Sequence, residues 1–155
     1  MRKILITGHI YMILGVAGGL YYREITKMND FTGDTQLSVV HTHLLTLGML
    51  FFLVVLALEK LFDLTSHRLF GWFFWVYNVG LAITVGMLIL HGTLTVLGRE
   101  SGEAIAGIAG LGHILLTAGL ILLFTNISKR LPGKSKPDSD SAPVRSADPA
   151  QSTAS

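Results

Sequence analysis

The chain has 155 residues and a formal net charge of +2, with half of its residues hydrophobic and only 14% charged, and its mean hydropathy is +0.56. That balance describes an integral membrane protein with room for one small domain, and the basic pI near 9.0 then reflects Lys and Arg flanking membrane spans rather than a nucleic-acid partner. Cysteine is absent, which excludes disulfides, Cys-ligated iron–sulfur clusters and covalently attached c-type haem.

Four apolar runs follow one another, each close to the roughly 20 residues that cross about 30 Å of hydrocarbon as a helix. The first, Ile4–Tyr22, follows Arg2 and Lys3 and carries Gly8, Gly15 and Gly19 along a common stripe. Its length and the "GVAGG" that it contains imitate a signal peptide, but Thr7, His9 and the three runs that follow identify it as a span. Arg23 and Lys27, just beyond it, read as interface anchors or as partners for haem propionates. The second run, Leu37–Leu58, opens on "VVHTHLLTLG". The third, Phe70–Leu97, begins with "FGWFFWVYN", whose aromatics resemble a membrane-interface belt and whose Asn78 reads as a polar link between helices. In the fourth, Ala104–Ile127, "AIAGIAGLGH" thins the helix above His113. Met12, Met49 and Met87 are scattered and read as packing residues.

Residues 132–155 are rich in Ser, Pro, Ala and Asp, contain all four prolines and have no apolar stripe, so they are expected to form a disordered cytoplasmic tail. Lys and Arg are denser at the N-terminus, in the second loop (Lys60, Arg68) and after the fourth run (Lys129, Arg130, Lys134, Lys136) than on the other face (Arg23, Lys27, Arg99). The positive-inside rule then places both termini in the cytoplasm. The expected fold is all-α: a four-helix membrane bundle over residues 1–131, in the plasma membrane, in contact with lipid.

No Asp, Glu, Lys or Arg falls within the runs except at their edges, which argues against an ion-coupled transporter. Histidine is the polar residue that stands out. His9, His41, His43, His91 and His113 are intramembrane, while His67 belongs to the second loop. Counted along the runs, His41 and His43 lie about 6–9 Å below the outer boundary, His91 about 10 Å and His113 about 13 Å. Four histidines from three helices thus share an outer slab, and His9 stands alone near the inner end.

Four imidazoles at one level suggest ligands for haem iron, copper or zinc, whereas Mg, Ca and Mn want oxygen donors. Residues on a helix turn about 100° each, so His41 and His43 point about 200° apart and cannot both bind one iron axially. His41 shares its face with Gly48, which would leave room for a flat cofactor. The bland alternative is that each histidine hydrogen-bonds between helices.

The stretch "YYREITKMNDFTGDTQLSVVHTHLLTLGMLFFLVVLALEK" is similar to the small four-span bacterial membrane proteins grouped as domain of unknown function 2871, a likeness that covers about residues 4 to 128 and implies the fold alone. More distantly, "HTHLLTLG" resembles the HxHxxxLG segment of the catalytic subunit of haem–copper oxidases and nitric-oxide reductases. That resemblance implies His41 and His43 as axial ligands of two different haems. It also implies that a four-span chain is one repeat of a twelve-helix core, which a trimer would rebuild. The chain departs from the oxidases in having no adjacent His pair and no HxxxY, so oxygen reduction is not implied.

The expectation that results is a haem-b protein of the plasma membrane that carries electrons or binds a diatomic gas. His41 is its first-choice ligand, His43 serves a second face, and His91 or His113 stands opposite. Its expected partners are a second or third copy of the chain and a respiratory redox protein. The alternatives are a copper or zinc site on the same histidines, or a cofactor-free assembly subunit.

Overall fold

The computed structural model describes residues 1–99 and 103–131; the expected tail from Pro132 onward lies outside the described residues. Four long helices follow each other: α1 (Arg2–Met28), α2 (Gln36–Phe62), α3 (Arg68–Val96) and α4 (Glu103–Arg130). All four are long and apolar enough to cross a membrane. Their outer faces carry uncovered apolar side chains such as Trp75 (68% exposed), Ile121 (62%) and Phe124 (67%). With no polar cover, such surfaces are stable only against lipid, and the chain is a multi-pass membrane bundle.

Helix ends follow local chemistry. α1 runs a turn and a half beyond the first apolar run, and the Asn29 amide closes it by donating to the Ile25 carbonyl at 2.8 Å. Thr35 caps α2, accepting from the Leu37 amide, while its hydroxyl donates to the Gly92 carbonyl of α3 at 2.9 Å. Asp63 ends α2 with φ 48°, and His67 caps α3 by accepting from the Leu69 amide on Nδ1 at 3.1 Å. His67 is therefore a structural cap. Glu59, an edge residue in the sequence, is buried and accepts from the Thr65 amide at 2.8 Å and from the Thr65 hydroxyl.

α2 is not uniform. It starts as a 3-10 turn (Gln36–Val39), becomes α-helical over Val40–His43, widens to a π-helix over Leu44–Leu50 and is α-helical again from Phe51. A π segment this long is rare and re-aims the side chains on either side of it.

Glycine sets how closely the helices approach. α1 lies on α2 with Gly15 against Leu45, Gly18 against Val40 and Gly19 against His41. α3 and α4 touch at backbone level: a Cβ on Gly80 would stand 2.8 Å from the Leu116 nitrogen, and one on Gly112 2.9 Å from the Thr84 nitrogen. α1 also reaches α3, where Tyr11 donates to the Asn78 amide oxygen at 2.6 Å and Tyr21 bonds Thr93 at 3.0 Å. Asn78 is thus the expected polar link between helices.

The expected aromatic belt divides in two. Trp72 and Trp75 face outward, whereas Phe70, Phe73 and Tyr77 are buried and join Phe51 and Phe52 in the core, with the Phe51 and Tyr77 rings 4.4 Å apart. The helical period explains it, because positions 70, 73 and 77 fall on one face and 72 and 75 on the other. At the same end, Arg130 donates to the Phe62 carbonyl and pairs with Asp63 at 3.0 Å, and Asn126 donates to the Leu64 carbonyl. The start of α1, the α2–α3 turn and the end of α4 therefore lie on one side of the bundle.

Candidate functional site

The four histidines expected in the outer half, His41, His43, His91 and His113, divide into two kinds. His43 on α2 and His113 on α4 each turn Nδ1 to the carbonyl four residues before, Val39 at 2.9 Å and Ala109 at 3.0 Å. A carbonyl only accepts, so Nδ1 carries the proton in both, and Nε2 is the nitrogen left to meet a metal. That is the tautomer and the backbone support found in histidines that bind metal through Nε2. His113 is exposed on the outer surface of α4, and His43 is half-buried.

His41 and His91 differ. Both are half-buried, and in both Nδ1 is buried without a hydrogen-bond partner. The His41 ring packs on Gly19 of α1, its Cβ 3.6 Å from where a side chain there would begin. His91 lines a cleft of about 340 Å³ with Asp34, Gln36 and Ser38, beside the start of α2. His9 is exposed on α1, away from this group.

Two expectations are corrected. The four outer histidines do not share one depth. Gly92, next to His91, abuts Leu37, so His91 stands at the level where α2 begins. Gly112, next to His113, abuts Thr84 and Gly80, seven and eleven residues before His91, or about 10–16 Å deeper. The difference arises from the register of α4 on α3, set by Gly112 against Thr84 and Gly119 against Tyr77, which a count along each run does not register. The space expected beside Gly48 is also filled: the Tyr11 ring of α1 occupies it. The stripe of Gly8, Gly15 and Gly19 packs on α2.

Among the described residues, no three His, Asp or Glu side chains come together as a metal-holding group. His43 and His113 are the two of these imidazoles whose Nδ1 is held by a backbone carbonyl, and they stand on separate helices. Beside His113, the small residues of "AIAGIAGLGH" divide: Gly112 packs on α3, whereas Gly107 and Gly110 have nothing within 4 Å. Arg23 and Lys27 line a cleft with Asp30 at the C-terminal end of α1.

Sequence reading did not single out Tyr11 and Tyr77, which tie α1 and α2 to α3, or Asn126, which is fully buried at the inner end. A buried polar residue in an apolar run is the signal that could have marked Asn126. No curated protein and no solved structure matches the chain. Residues 1–130, the four helices and nearly all that is described here, match the family described as "Protein of unknown function (DUF2871)", and the chain belongs to that family.

Proposed function

We propose that the chain is a haem-b protein of the plasma membrane, with His43 and His113 as the iron-ligating imidazoles. The observation that carries this reading is the pair of Nδ1 bonds to the Val39 and Ala109 carbonyls, which orient each ring and leave Nε2 as the nitrogen that would hold iron. His41, the first choice from the sequence, gives way because its ring is packed on α1 and its Nδ1 has no partner to orient it. His91 lacks that support as well.

Haem iron would supply one-electron transfer or binding of a diatomic gas. The chain would supply imidazole donors in apolar surroundings, and Arg23 and Lys27 as cations at the outer boundary. A dimer or trimer suits iron held on an outer face, because a second copy brings a further imidazole to it. The redox partner would be another membrane protein of the respiratory chain.

The test is the absorption spectrum of detergent-purified protein from haem-supplied cells, oxidised and then dithionite-reduced, with pyridine haemochrome quantification. A Soret band with sharp reduced α and β bands is expected. His43→Ala and His113→Ala should each lower haem per chain at least fivefold, while His41→Ala and His91→Ala keep it within twofold. An empty spectrum above the protein band, or full haem in the His43→Ala/His113→Ala double variant, overturns the reading.

A further inference from the structure

At the inner end of the bundle, the first two turns of α1 and of α3 enclose a groove of about 660 Å³. Arg2 and Lys3 stand at its rim, and Phe70, Gly71, Phe74 and Trp75 line its apolar part. Among the described residues, neither cation is in an ion pair, and Glu59, the buried carboxylate at this end, is turned to Thr65. Trp72 and Trp75, 66% and 68% exposed, mark the boundary between headgroups and hydrocarbon. The groove thus crosses that boundary, with its charges at headgroup level and its apolar wall about one turn deeper.

An apolar slot under two free cations is complementary to one kind of molecule in its surroundings: a lipid with a phosphate head, a net negative charge and an acyl chain. We propose that this groove is a specific binding site for one anionic phospholipid. Arg2 and Lys3 hold the phosphate, and an acyl chain lies along Phe70, Gly71 and Phe74. Generic attraction to an anionic surface needs no groove and is shared by every Lys and Arg at this level. Gly71 separates the two cases, because a Cβ there meets nothing within 4 Å. A leucine at 71 starts from open space in the groove wall and leaves every charge in place, so it should obstruct the slot.

The experiment is native mass spectrometry of the purified full chain in detergent, titrated with dioleoylphosphatidylglycerol or dioleoylphosphatidylcholine. One phosphatidylglycerol per chain is expected to bind at least fivefold more tightly than phosphatidylcholine. Gly71→Leu should weaken it at least fivefold with no loss of thermal stability. Arg2→Gln/Lys3→Gln should do the same, while Lys60→Gln/Lys129→Gln, which removes equal charge from the same side outside the groove, should not. Unchanged binding by Gly71→Leu overturns the site. So does equal loss in the two charge variants, equal affinity for the two lipids, or displacement of the lipid by equimolar inorganic phosphate. None of these readouts involves haem.

Discussion

A tyrosine ring stands where a side chain at position 48 would begin. Gly48 lies in the π segment of α2 and receives Tyr11, whose hydroxyl continues to Asn78 on α3. One residue thus sets the approach of two helices and the reach of a hydrogen bond to a third. Gly48→Ala puts a methyl into the Tyr11 ring and should cost about 1–3 kcal/mol, the usual range for overpacking. Gly107→Ala, on an open face of α4, should cost nothing and gain up to about 1 kcal/mol in helix propensity. Thermal unfolding in detergent, followed by circular dichroism, distinguishes the pair. Tyr11→Phe removes only the bond to Asn78 and should cost about 0.6 kcal/mol, the average for hydrogen bonds between membrane helices.

Among the helices, α4 is held differently from the rest. It lies on α3 through Gly80, Gly112 and Gly119, and meets the α2–α3 turn through Asn126 and Arg130. α1, α2 and α3 are bound to one another by the aromatic core and by the Tyr11, Tyr21 and Tyr77 hydroxyls. Gly80→Val would drive a side chain into the Leu116 backbone nitrogen. Amide hydrogen exchange in that variant should rise across α4 while α1 stays protected; a uniform rise would mean that α4 is integral to one cooperative unit. α2 carries the other departure from regularity. Helical periodicity marks its apolar run in the sequence, but the widening over Leu44–Leu50 has no composition of its own. It forms where Gly48 admits Tyr11 and the Leu47 carbonyl accepts from Tyr77, partners distant in the chain.

For the whole molecule, sidedness can be tested directly because the chain has no native cysteine. Ser66 lies in the α2–α3 turn and Thr32 between α1 and α2, both exposed. With the Lys- and Arg-rich side in the cytoplasm, Thr32→Cys should react with a membrane-impermeant maleimide in intact cells, and Ser66→Cys only after permeabilisation. The reverse pattern would invert the bundle and carry the histidines of the outer half to the cytoplasmic side with their relative depths unchanged.

Composition, hydropathy and the spacing of the apolar runs determined the four helices, their order and their membrane setting. These are short-range consequences of burying backbone polar groups in lipid, and they can be read from consecutive residues. They also singled out histidine as the residue type of interest. Only the tertiary structure decided which imidazoles hold Nδ1 on a backbone carbonyl, that Gly48 is filled by a ring from α1, and that His91 stands at the start of α2 while His113 lies deeper. Such facts depend on how far one helix slides along another and on which carbonyl a side chain finds. Both are set by contacts such as Thr35 to Gly92 and Tyr77 to Leu47, which join residues 57 and 30 positions apart.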